Sequence, residues 1–162
     1  MVAPPRFKDA LEILAKYRVD LVVVGGVAAV LNGAPIATFD LDVVHARSQD
    51  NLDRLAAALN DLEARYRDSG GRDLRPEVAD LAGDGHHLLL TRCGPLDILG
   101  QIGNGRRYEN LLPDAVTINV GSAVVRVLGL SALIRTKEEA GRDKDRAVLG
   151  ILRQTLDASG KK

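Results

Sequence analysis

Asp40 and Asp42 stand two residues apart in a segment, Thr38 to His45, that otherwise reads as an apolar strand. Side chains at i and i+2 of a strand point the same way, so the two carboxylates share one face with Val44, their Cβ atoms about 6–7 Å apart, and Phe39, Leu41 and Val43 share the other. Like charges on one face repel each other and resist burial. Any fold for this chain must therefore leave that face open or supply a cation. A solvated sheet face with two ordinary surface aspartates meets the first condition. A hard divalent cation such as Mg²⁺, held by carboxylates together with substrate phosphates, meets the second. Spacing alone leaves both readings open.

The residues upstream add a second element. Val19 to Val24 is a β-branched run that reads as a buried strand. Gly25-Gly26 interrupts it, and Val27 to Leu31 reads as a short helix closing at Asn32-Gly33. A side-chain-free turn between strand and helix is either a tight turn or a place where backbone N–H groups meet a phosphate. The pattern is neither a G-x-G-x-x-G fingerprint nor a Walker A loop.

The rest of the chain alternates helices and hairpins. Phe7, Ala10, Leu11, Leu14 and Tyr17 mark a first amphipathic helix behind Pro4-Pro5. Leu52, Leu55, Ala56, Leu59, Leu62 and Tyr66 mark another, capped by Ser48 or Asp50. Arg67 to Gly85 is polar and glycine-rich, a long loop with a helical turn expected near Val78 to Leu81. Leu88 to Cys93 and Leu96 to Leu99 read as paired strands around a Gly94-Pro95 turn. Val116 to Val120 and Ala123 to Leu128 form a hairpin around Gly121-Ser122, Ser131 is expected to cap a helix, and a last helix follows Gly141. The expected architecture is α+β, a mixed sheet with helices packed on one face. The expected organisation is a single domain over 1–157, with a frayed tail over 158–162.

Composition narrows the function classes. Lys+Arg and Asp+Glu both number 22, which disfavours a dedicated nucleic-acid binder. Aromatic residues make up only 3%, so the core must be aliphatic and stacking platforms for single strands are scarce. The single cysteine, Cys93, excludes an internal disulfide and makes a reducing, cytoplasmic setting the expectation. No signal peptide is expected in Met1 to Ala10, and no apolar run nears the roughly 20 residues that span a bilayer. His86 and His87, adjacent on a strand, point to opposite faces and do not suit one metal ion.

Taken together, Gly25-Gly26-Val27-Ala28-Ala29-Val30-Leu31-Asn32-Gly33 and Thr38-Phe39-Asp40-Leu41-Asp42-Val43 resemble the polymerase-beta-type nucleotidyltransferase signature. Leu133-Ile134-Arg135-Thr136-Lys137 and Ala140-Gly141-Arg142-Asp143-Lys144-Asp145 resemble the lysine helix and R-x-K-D helix start of small stand-alone bacterial members. Those members include AbiEii-type toxins, and the superfamily also holds the antibiotic nucleotidyltransferases. The resemblance implies the minimal nucleotidyltransferase fold and a two-metal mechanism that transfers an NMP from an NTP to a hydroxyl on RNA, protein or a small molecule. It implies that Asp40, Asp42 and a third carboxylate, for which Asp97 is the candidate, hold two Mg²⁺ ions. It further implies that Gly25, Gly26 and Lys137 contact the nucleotide, with Asp145 as a secondary candidate. Many relatives carry an arginine just before the Thr-x-Asp strand, where this chain has Ala34-Pro35-Ile36-Ala37. That departure supports an alternative, a catalytically degenerate nucleotide-binding or toxin–antitoxin interaction module with the same fold. Arg106 and Arg107, with the Arg67 to Gly85 loop, are the remaining candidates for an acceptor cleft.

Overall fold

The computed structural model describes residues 5–160. The side chain of Lys144 and residues 161–162 of the expected tail lie outside the described residues. The elements follow in the order α1 (Phe7–Lys16), β1 (Leu21–Val24), α2 (Gly25–Leu31), β2 (Leu41–His45), α3 (Gln49–Asp61), β3 (Arg65–Tyr66) and α4 (Val78–Leu81). Next come β4 (His86–Thr91), β5 (Gly94–Leu99), α5 (Tyr108–Leu111), β6 (Ala115–Val120), β7 (Ala123–Leu128), α6 (Leu130–Ala140) and α7 (Asp143–Ala158). The strands form one mixed sheet of seven in the order β3-β4-β5-β2-β1-β7-β6. This is the α+β architecture with a mixed sheet that the sequence predicts, except that helices cover both faces of the sheet and not one.

The central strand explains the layering. All four residues of β1 are buried, so both faces of the sheet are covered there. Leu41, Val43 and His45 of β2 face a helical layer made by α1, α3 and α4, whose Leu11, Leu14, Leu52, Leu55, Leu59 and Leu81 are almost fully buried. On the other face α2 and α6 pack over the centre. Leu88 and Leu90 of β4 stay partly exposed on that face, leaving it open towards the β3 edge. The core is aliphatic, as the scarcity of aromatic residues requires.

Several local expectations are corrected. The second strand begins at Leu41, so Asp40 immediately precedes it and Phe39 is 69% exposed instead of sharing the apolar face of Leu41 and Val43. The β4–β5 turn falls on Arg92-Cys93, two residues before Gly94-Pro95. Thr91 pairs with Gly94 across it, and the Thr91 hydroxyl donates to the Gly94 carbonyl at 2.8 Å and accepts from Cys93 N–H at 3.0 Å. That side chain closes the turn early and leaves Pro95 in the strand. Gly129, not Ser131, caps α6, and α3 ends at Asp61, so Tyr66 lies in β3 and not on that helix.

A buried amide ties the helical layer to the sheet. Ser48 caps α3 through Asn51 N–H, and the Asn51 side chain is fully buried. Its Nδ2 donates to the carbonyls of Asp20 at 3.0 Å and Ala46 at 2.7 Å, and its Oδ1 accepts from Asp20 N–H at 2.7 Å. These bonds hold the start of β1 beside the end of β2. Asn51→Ala would strand three backbone groups and is expected to cost about 3 kcal/mol in urea unfolding, with the unfolding slope unchanged. A loss within 0.5 kcal/mol of zero would show that water replaces the amide.

Candidate active site

The register of β2 against β5 builds the site. The strands run parallel with Asp42 opposite Asp97, Val44 opposite Leu99, and Leu41 and Val43 opposite Leu96 and Ile98. Period-two alternation then puts Leu41, Val43, Leu96 and Ile98 into the core, and Asp42 and Asp97 side by side on the other face. Across β1, Val24 stands opposite Asp42, so the chain enters α2 directly beside that carboxylate.

Gly25 and Gly26 make room there. Gly25 has a φ of 66°, and a Cβ at that position would collide with the Asp42 carboxylate. A Cβ on Gly26 would collide with Thr38 Oγ1. Both glycines thus have a steric reason to be present: they let α2 sit against the acidic strand.

Asp40, Asp42 and Asp97 line one cleft of about 940 Å³, together with Gly25, Gly26 and Lys137. Asp42 is mostly buried. Burial, the facing Asp97 carboxylate and a contact with it, and the charge of Asp40 push its carboxyl from 3.8 up to about 7, against the pull of Lys137. Asp42 Oδ1 and Asp97 Oδ1 are both buried without a hydrogen-bond partner. Two orphaned carboxylate oxygens on neighbouring strands are hard donors that fit a divalent cation. Asp42 and Asp97 would hold it, with Asp40 at the rim. Among the described residues, no group of three or more His, Cys, Asp or Glu side chains is drawn together into a finished metal cage.

Three cations frame these acids, two on the α6 side and one on the β3 side. On the α6 side, Lys137 Nζ lies 3.3 Å from Asp145 Oδ1, and Arg142 Nε lies 2.7 Å from Asp145 Oδ2. The Asp145 side chain is only 3% exposed. Burial pushes its carboxyl up, but the Arg142 hydrogen bond and the Lys137 charge outweigh this and hold it below the ordinary value. Lys137 therefore reaches the cleft as one arm of a buried ion cluster, not as a solvated helix lysine. On the β3 side, Arg67 Nη2 lies 2.8 Å from Asp97 Oδ1, although not aligned as a hydrogen bond.

Arg67 is the residue that sequence reasoning passed over, visible there only as the first residue of a polar loop. His86 also lines the cleft, while His87 turns to the other face and meets the Tyr66 hydroxyl at 2.9 Å. Arg106 and Arg107 do not line it. Arg106 forks onto Glu139, holding that carboxyl down to about 2, and Arg107 pairs with Asp84. Cys93 is buried away from the site.

No family model matches the sequence, and no curated protein matches it. A solved structure does: a Thermotoga maritima protein provisionally assigned as a nucleotidyltransferase. It aligns with a TM-score of 0.57 at 15% identity, covering 94% of this chain and 91% of that one. The likeness is one of fold. It leaves the role of each residue to the geometry above. No helix among the described residues is long and apolar enough to cross a membrane.

Two measurements check this geometry. A carboxyl raised from 3.8 to about 7 favours folding below its unfolded value and loses that contribution as pH rises through the folded one. In EDTA, Asp42→Asn is therefore expected to stabilise the protein by about 4 kcal/mol at pH 8 and by far less at pH 4. A pH-independent difference between the two proteins would rule out the buried-charge account. Gly25→Ala is expected to cost about 2 kcal/mol through its positive φ and the Asp42 clash, and to cost less in an Asp42→Ala background. Equal costs in both backgrounds would show that the two residues do not compete for space.

Proposed function

We propose that this protein transfers a nucleoside monophosphate from an NTP to a hydroxyl acceptor in a divalent-cation-dependent reaction. The observation that carries this reading is the parallel pairing of Asp42 with Asp97 in a cleft that Asp40 and Gly25-Gly26 also line. The nucleotidyltransferase-like fold supports it. When bound by these carboxylates, divalent cations such as Mg²⁺ polarise an attacking hydroxyl and screen a leaving pyrophosphate.

The chain's own residues then have distinct tasks. Asp42 and Asp97 supply fixed oxygen donors on two strands that cannot move independently, which is the preorganisation such chemistry needs. Asp97 faces the open side of the sheet, beside His86 and Leu88, where an acceptor hydroxyl has access. Lys137, at the opposite wall, carries a positive point charge towards the phosphates. Asp145 holds that ammonium in place.

The alternative, a degenerate nucleotide-binding or toxin–antitoxin interaction module, is favoured by two contacts. Arg67 already neutralises Asp97, and Asp145 already neutralises Lys137. Thermal melting with ATP, CTP, GTP and UTP, each with and without Mg²⁺, separates the two readings. The enzyme reading expects at least one NTP to stabilise the fold only with Mg²⁺, by about 2.7 kcal/mol at a hundredfold excess over Kd. With an α-labelled NTP and cell extract as acceptor source, Asp42→Asn and Asp97→Asn are expected to lower label transfer at least about a hundredfold. Nucleotide stabilisation that ignores Mg²⁺, with no label transferred, would leave the module.

A further inference from the structure

Arg67 follows β3 at the edge of the sheet and is held at several points. Its backbone N–H donates to Leu88 O at 3.0 Å, its Nη1 donates to Leu89 O at 2.7 Å, and its Nη2 lies 2.8 Å from Asp97 Oδ1. The pair is poorly hydrated, with 24% of the arginine side chain and 13% of the aspartate side chain exposed. Asp97 Oδ1 is buried and has no hydrogen-bond partner, so the guanidinium charge is what balances it. Lys137 and Arg142 do not do so, because both are paired with Asp145.

We propose that Arg67 is a positioning residue for Asp97 whose guanidinium gives way to the divalent cation. The inference rests on the cation-dependent reading above. At rest the guanidinium lies against the Asp97 carboxylate at the β3 edge. A cation entering between Asp42 and Asp97 needs that same carboxylate. A guanidinium and a divalent cation on one poorly hydrated carboxylate repel each other strongly. Arg67 must therefore leave Asp97 as the cation binds. The backbone bond from Arg67 N–H to Leu88 O keeps the strand edge paired while the side chain exchanges its Leu89 O and Asp97 contacts for solvent. Residues 70–75, which follow it, are exposed and begin with Gly70-Gly71, so no packed element blocks the movement.

The competition has a signature that simple charge repulsion lacks, because it acts through Asp97. Mn²⁺ alone is the probe, followed by its paramagnetic resonance on wild type, Arg67→Gln, Asp97→Asn and the double variant. Arg67→Gln is expected to tighten Mn²⁺ binding roughly tenfold in the wild-type background and not at all in the Asp97→Asn background. Arg67→Lys, which keeps the charge but loses the two-pronged fork, is expected to fall between wild type and Arg67→Gln and covers the case in which the glutamine variant fails to fold. Equal tightening in both backgrounds would mean a through-space charge effect and would overturn the exchange. Unchanged affinity in Arg67→Gln would overturn it too while leaving cation-dependent catalysis standing. Failure of all the proteins to bind Mn²⁺ would remove the cation-dependent reading itself, and the inference with it.

Discussion

The site depends on one strand pairing. β2 and β5 run parallel in a register that sets Asp42 against Asp97 on one face and seats Leu41, Val43, Leu96 and Ile98 in the core on the other. A slip by one residue would send the carboxylates into the aliphatic layer and the leucines into water. The burial of those four apolar side chains is therefore what holds two like charges together. Electrostatics alone would drive them apart, and the raised Asp42 carboxyl is the local record of that conflict.

Charge in the cleft is arranged as a row. Arg67 stands at the β3 end, the Asp97–Asp42–Asp40 group in the middle, and Lys137 with Asp145 and Arg142 at the α6 end. The chain as a whole is neutral. That balance hides a segregation in which the middle is acid-rich and both ends carry fixed cations. Each end cation is tied to a poorly exposed carboxylate, so neither is lost to solvent as a long surface side chain would be.

How much of this was legible beforehand follows from the range of the signals. The helix after β1, the Val78 to Leu81 turn and the Gly121-Ser122 hairpin are local patterns that the structure has, although Gly25-Gly26 already forms the first turn of α2 and Asp40 stands just ahead of its strand. The placing of Asp97 opposite Asp42 is a register between distant strands, visible only through resemblance to a family. β3 has two residues, too few for any periodicity, so Arg67 carried no mark of its place at the cleft. The shift of the β4–β5 turn came from the Thr91 hydroxyl, a side-chain cap that outweighed the usual turn preference of Gly-Pro. Phe39 was assigned to the apolar face by alternation, but the strand had not yet begun there.

The strand order β3-β4-β5-β2-β1-β7-β6 has a kinetic consequence. β1 is sandwiched between β2 and β7, and β7 is among the last strands made. Local hairpins such as β4–β5 and β6–β7 can close early, since little chain entropy opposes them. The parallel joins β2–β5 and β1–β7 close long loops and set the pace of folding. The cleft's walls meet across those joins, with Asp97 beyond one and Lys137 beyond the other. The charged row is thus completed only when those joins form, and in the unfolded chain its acids are dispersed and hydrated.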